Sequence, residues 1–455
     1  MQKMRGYAWK NALVSGLLLL PLLFVTQTHA SGLQTATSDG ELLVSHVEKI
    51  SAFSGPPATE SEFAAGVYIE NTLRSYGYET ELLPLPYYTY RKPDVQSLVV
   101  EGWHEQQWKL QGFKYAPNGK AEGAIVNCGI GAAEDYQRVD VSGKIALVER
   151  GGLSYGEKVR QAAAAGAVAL LIQNDRDVFG QTTLEAPLDM AVPVLGISKS
   201  QGEQLRKRMQ SNGELKASLR VEGALTIRQT SYSFIGKMPA TTASRNQAVL
   251  LGTRHDIVRG SSDVDQASTG AAVMLEAARL LADRPRDTDL YVVSFGASMA
   301  EDQGVRAFVD LLEPKEKQRI IAAFVLDRLG SEKDGDVLVT PGDGSGRESL
   351  PVRLAQKFGA QYAPSLEQRA RLSRTDQILA YAGIPTALLT RQYESRVTPP
   401  SIPSRNIKPE PLIQVTDLLV QAAGEIIDPT TAAYPVEGGT AQPAGKTPYD
   451  VEETQ

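Results

Sequence analysis

Histidine is the scarcest chemistry-bearing residue in this chain. There are four, His29, His46, His104 and His255, and none follows His255. Any hydrolytic chemistry that leans on imidazole, as base or as metal ligand, is confined to that first part. A single cysteine, Cys128, excludes an intramolecular disulfide and a four-thiolate zinc site. It reads as a small packed hydrophobe. Gly296-Ala297-Ser298-Met299-Ala300 resembles a nucleophile elbow with its last glycine replaced. The hydrolase order that uses such an elbow needs a histidine after the serine, and here there is none. Gly129-Ile130-Gly131 and Gly342-Asp343-Gly344-Ser345-Gly346 lack the residues that complete a dinucleotide or phosphate loop, and read as turns.

The chain that must position this chemistry has 455 residues, long for one domain and comfortable for two. With 42% hydrophobic and 22% charged residues, it is neither collagen-like, coiled-coil nor mostly disordered. Lysine and arginine number 47 against 53 acidic residues, so no basic excess argues for a nucleic-acid partner. Lys3, Arg5 and Lys10 precede an apolar run from Ala12 to Val25, and Thr28-His29-Ala30 suits signal peptidase. Residues 1–30 read as a signal peptide cleaved after Ala30. The expectation is a periplasmic or secreted protein without stable membrane insertion; an uncleaved anchor is the alternative.

Residues 41–76 read as helical and Glu79 to Leu83 as a strand, with a Pro-rich boundary from Pro84 to Pro93. Residues 95–230 form a strand-rich insert with an Ala-rich helix from Gly156 to Ala165. From 231 onward strands alternate with helices: Ala248 to Leu251, Gly270 to Leu281, Leu290 to Phe295, Ile320 to Leu326, Thr386 to Leu389 and Pro411 to Ile426. That alternation predicts an α/β fold, a mainly parallel mixed sheet with helices on both faces. Residues 31–94 and 231–428 then form one split domain. Residues 429–455 read as a disordered tail.

Two resemblances cover most of the chain beyond residue 30. Gly143-Lys144-Ile145-Ala146-Leu147-Val148-Glu149-Arg150-Gly151, then Lys158, Ala162 to Ala167 and Val192-Pro193-Val194, resemble a protease-associated (PA) domain. Such domains are non-catalytic lids or binding modules. The flanking stretches Val249 to Asp256, Asp265-Gln266-Ala267-Ser268-Thr269-Gly270, Phe295-Gly296-Ala297, Arg306 to Val309, Val325-Leu326-Asp327 and Ala382-Gly383-Ile384-Pro385 are similar to the co-catalytic zinc aminopeptidases. That family has the transferrin-receptor/nicastrin-like peptidase fold and often carries an inserted PA domain.

The resemblance implies two zinc ions held by histidines and carboxylates, with a glutamate as general base. Most of those positions are altered here. The first histidine slot, two residues before Asp256, holds Arg254, and a guanidinium cannot bind zinc. His255 is one step away, on the opposite face of a strand. Asp265 matches the bridging aspartate, and also reads as a residue near a helix cap. Asp327 matches a later carboxylate ligand, and Arg254 or Arg328 would pair with it. A gapless alignment puts Ser298 and Met299 where the family has paired glutamates. A shifted one makes Glu301 the base and Asp302 a ligand, although both also suit a helix first turn. The gapless version is preferred because both flanks agree. The segment from Arg391 to Asn406, where the family places its last histidine, contains none.

The expectation is therefore an exported, catalytically inactive relative that binds a protein or peptide partner as a scaffold and uses no cofactor. The alternative is an active metal-dependent aminopeptidase with a rearranged, single-metal zinc site, in which Glu301 is the base. His255, Asp265, Asp302 and Asp327 are the residues left to hold that metal.

Overall fold

The computed structural model describes residues 37–103, 106–257, 264–330, 337–342, 348–368, 374–391 and 407–437. The signal-peptide segment 1–30 lies outside them. Two helices come first, α1 (Gly40–Phe53) and α2 (Glu60–Ser75), rather than one. Pro56 and Pro57 separate them, because proline cannot continue a helix across its missing N–H. Asp39 and Thr59 cap the two N-termini through their side-chain oxygens. Helix α2 buries Ala65, Ile69 and Leu73 and leaves Phe63 40% exposed.

Strand β1 (Glu79–Arg91) runs straight through the expected Pro-rich boundary. Pro84 and Pro86 are tolerated because β1 is the edge of its sheet, where a missing N–H costs no ladder bond on the open side. Next come β2 (Val95–Val100), β3 (Leu110–Gln111), β4 (Gly119–Asn127), α3 (Ala133–Tyr136), β5 (Ile145–Glu149) and α4 (Tyr155–Ala164). Then follow β6 (Ala169–Gln173), β7 (Val194–Ile197), α5 (Lys199–Asn212) and β8 (Lys216–Glu222). The strands β2 to β8 form a seven-stranded sheet of order β2-β8-β4-β5-β6-β7-β3. Strand β9 (Leu225–Met238) returns antiparallel along the whole of β1.

The remaining elements are β10 (Ala248–Arg254), α6 (Val264–Ala282), β11 (Asp289–Phe295), α7 (Gln303–Leu311), α8 (Pro314–Arg319) and β12 (Ile320–Leu326). After them come β13 (Val337–Pro341), α9 (Leu350–Tyr362), β14 (Glu367–Gln368), α10 (Arg374–Tyr381), β15 (Thr386–Arg391) and α11 (Pro409–Ile427). They complete an eight-stranded mixed sheet of order β1-β9-β11-β10-β12-β15-β13-β14. Its centre, β11-β10-β12-β15, is parallel.

Every residue of β10 is buried, because both faces of the sheet are covered. Val249 and Leu251 pack toward α1, α2, α6, α9 and α11, whereas Ala248 and Leu250 pack toward α7 and α10. This is the α/β architecture the alternation predicts. The first part of the expected tail, 429–437, departs from expectation, and 438–455 lie outside the described residues: Tyr434 packs on the main core, its carbonyl accepts from Gln247 Nε2 at 2.8 Å, and Glu437 accepts from Leu350 N–H at 2.9 Å. An aromatic anchor and a carboxylate at the start of α9 fix the chain as far as Glu437. Among the described residues no helix is long and apolar enough to cross a membrane.

Candidate active site

In an open parallel sheet the loops leaving the carboxyl ends of the strands form the natural ligand crevice. Here those ends are Arg254 on β10, Phe295 on β11 and Leu326 on β12. A cleft of about 360 Å³ opens there, lined among others by Arg254, Ser298, Met299, Asp302, Asp327 and Arg328. A roomier hollow of about 560 Å³ lies in the insert between α4 and residues 187–190, beside Glu157 and Arg160. Those two pair with each other in solvent, so the smaller strand-end cleft is the one with chemistry to offer.

Strands β10 and β12 are adjacent and parallel, with Thr253 opposite Leu326. That register sets Arg254 beside Asp327. The Arg254 Nε donates to Asp327 Oδ1 at 3.0 Å, and its Nη1 donates to the Asp256 carbonyl oxygen at 2.9 Å. Arg328 brings a second guanidinium within 3.7 Å of Asp327. Three residues lining the cleft, Glu301, Asp302 and Arg328, and the buried Ala297 beneath it adopt left-handed backbone without being glycine, with φ of 63°, 56°, 55° and 49°. Such conformations cost about 1–3 kcal/mol each and concentrate at functional sites.

The loop after β11 is held from beneath. A Cβ on Gly296 would sit 2.1 Å from the Tyr232 carbonyl oxygen, and one on Gly304 2.2 Å from that of Gly296. Only glycine permits that approach between loop, β9 and α7. Two buried carboxyl groups finish the work. Glu62 of α2 accepts from Ala297 N–H at 2.9 Å, from the Ser231 hydroxyl at 2.7 Å and from Ala58 N–H at 2.5 Å. Asp256 accepts from Met299 N–H at 2.6 Å. Burial pushes the Glu62 pKa up to about 7, against the pull of its hydrogen bonds, and it raises that of Asp256 as well. Sequence reasoning gave Glu62 no role: Thr59-x-x-Glu62 has the spacing of a capping box, and Glu62 does turn back to Ala58 N–H, but no local pattern announces its bonds to Ser231 and Ala297. Asp256 sat in the quoted Arg254-His255-Asp256 run but was assigned no role.

The expected site residues fall into three groups. Glu301, Asp302 and Asp327 share the cleft with Ser298 and Met299. Asp302 is buried and accepts from the Thr375 hydroxyl at 3.4 Å, while Glu301 lies at the rim and pairs with Lys114 at 2.5 Å. His255 is not with them. It is fully buried, its Nδ1 is 2.8 Å from the Ser294 hydroxyl, and its ring stacks edge-on against Phe234. Burial drops its pKa to about 3, so the ring is neutral. Asp265 falls in the first turn of α6, and its side chain lies outside the described residues. So does the segment 392–406. Ser298 Oγ donates to the Phe295 carbonyl oxygen at 3.4 Å, which is no arrangement for a nucleophile.

A pair of zinc ions does not fit these residues. Among the described residues, the Arg254 guanidinium at the position the resemblance gives to the first ligand holds Asp327, His255 points to Ser294 and Phe234, and Ser298 and Met299, which cannot serve as carboxylate ligands, line the cleft. Among the described residues no three histidine, cysteine or acidic side chains cluster as a metal site.

Comparison with known proteins sets this geometry in context. Residues 117–205 match the PA domain, and residues 234–418 match peptidase family M28. Aminopeptidase YwaD of Bacillus subtilis is 29% identical over 361 residues, covering 76% of this chain and 75% of that protein. An aminopeptidase of Pseudomonas aeruginosa is 26% identical over 309 residues, 63% of this chain and 56% of its own length. Among solved structures, the aminopeptidase from Aneurinibacillus sp. strain AM-1 superposes with a TM-score of 0.59 at 27% identity, covering 89% of this chain and 98% of that one. BSAP, a zinc aminopeptidase from Bacillus subtilis, gives a TM-score of 0.54 at 25% identity, covering 87% and 96%. These matches correct the expectation of an inactive scaffold, since the relatives are named aminopeptidases. The expectation that no cofactor is used finds no support either, because BSAP is a zinc enzyme.

Proposed function

We propose that this chain, a protein of peptidase family M28 carrying a PA domain, is an aminopeptidase with a rearranged metal site. The observation that carries this reading is the cleft itself. It opens at the carboxyl ends of β10, β11 and β12 and gathers Glu301, Asp302 and Asp327 within a fold shared with solved aminopeptidases. Asp327 is taken up by Arg254, so Asp302 and the half-exposed rim carboxylate of Glu301 are the groups that would draw a free α-ammonium, a charge that a blocked terminus lacks. That selects the end of a peptide over its middle. The left-handed backbone at Glu301 and Asp302 holds their carboxylates over the cleft instead of letting them join α7. Export belongs to the same reading, on the strength of residues 1–30.

The test is hydrolysis of a panel of aminoacyl arylamides and short peptides, with zinc and with chelator, against N-acetylated counterparts. Release of the first residue from free-amine substrates alone, suppressed by chelator, is the expected result. No turnover on any substrate at any zinc concentration would sink the proposal.

A further inference from the structure

The misfit between this cleft and a two-metal site has a definite chemical form. Asp327 is not a spare carboxylate. It already receives a charge-assisted hydrogen bond from Arg254 Nε at 3.0 Å, and Arg328 stands 3.7 Å from its other oxygen. The Arg254 side chain is 8% exposed and anchored a second time, at the Asp256 carbonyl oxygen. Its place is fixed by the sheet, because β10 and β12 run side by side in parallel register. The left-handed backbone of Arg328 turns the second guanidinium back toward the same carboxylate. A planar guanidinium is always charged and cannot be displaced by losing a proton.

We infer that Arg254 stands in for one of the two metal ions that the family resemblance implies. Its guanidinium supplies the positive charge that balances Asp327 and keeps that carboxylate from coordinating a cation. Arg254 is thus a positioning residue for Asp327, and the cleft keeps capacity for one metal at most. The inference rests on the family reading but not on turnover, so it is tested on metal binding alone.

The experiment titrates the chelator-stripped full-length protein with zinc, counts bound ion by mass spectrometry after gel filtration, and measures affinity by competition with a chromogenic chelator. The wild type is expected to hold one zinc ion or none. Arg254→His is expected to hold one more than the wild type, and adding Asp327→Asn is expected to abolish that gain. Arg254→Gln removes the charge with less change of shape, and is expected to bind zinc at least tenfold more tightly than the wild type. It serves if Arg254→His does not fold. Two equivalents in the wild type would overturn the inference. So would folded Arg254→His and Arg254→Gln variants that bind no more zinc, and no more tightly, than the wild type. Hydrolysis without this gain, or the gain without hydrolysis, separates the inference from the proposed activity.

Discussion

The inserted sheet and the strand-end cleft follow opposite local rules. In the insert, Ser154 and Ser198 cap α4 and α5, and β5, β6 and β7 are almost wholly buried. Its fully buried Lys158 donates to two carbonyl oxygens, those of Ile130 and Gly151. These elements do what their residues prefer, and the left-handed Tyr115 and Glu185 lie in loops of the insert. In the cleft, α7 starts from a left-handed Asp302 that makes no side-chain cap bond, and Ala297, Glu301 and Arg328 share its conformation. Two carboxyl groups, Glu62 and Asp256, are buried merely to hold a loop. Left-handed backbone at residues other than glycine gathers around the cleft, whereas in the insert the described residues show it only at those two loop positions.

The comparison can be broken first where consistency is strongest. Lys158→Ala leaves two buried carbonyls without their donor, which is expected to destabilise the protein by about 4 kcal/mol. Urea or thermal denaturation reads it, and a loss below about 1 kcal/mol would mean that water replaces the ammonium.

The cleft should answer to pH instead. The folded pKa of Glu62, about 7, lies above its ordinary 4.5. A raised carboxyl pKa stabilises the fold fully below pH 4.5, and that contribution is lost as pH rises through 7. The span corresponds to roughly 3 kcal/mol. Glu62→Gln should therefore flatten the stability profile between those two values. An unchanged slope in the variant would assign the pH dependence elsewhere.

Much of this arrangement was legible in the sequence. The apolar runs from Ala248, Leu290 and Ile320 gave the parallel centre of the sheet. Arg254 stood out by its place two residues before Asp256, and Arg254 or Arg328 was the expected partner of Asp327; the structure brings both to it, Arg254 by a hydrogen bond. That His255 would face away follows from the alternation of a strand. What could not be read were the bonds between distant segments. Glu62 meets Ala297 across 235 positions, and Lys114 meets Glu301 across 187. No local pattern encodes either. Glu62 looks like a cap and Lys114 like any solvated lysine until the sheets bring their partners in. The tail failed for the opposite reason: one tyrosine and one glutamate anchor it, too few to leave a periodic signal.

The smallest expected effect lies where the two regions touch. Lys114 of the insert pairs with Glu301 at the cleft rim at 2.5 Å, with side chains 32% and 51% exposed. A pair so open to solvent contributes less than about 1 kcal/mol to stability, so Lys114→Ala should barely move the melting temperature. Its effect belongs to binding. Without the ammonium, Glu301 presents an uncompensated negative charge to an incoming α-ammonium. KM for free-amine peptides should fall about twofold, while kcat stays unchanged and added salt erases the difference. Lys114→Arg, which keeps the charge at that place, should show no such gain. A KM that ignores Lys114→Ala would make the contact a packing accident, and would leave the insert without a say in what enters the cleft.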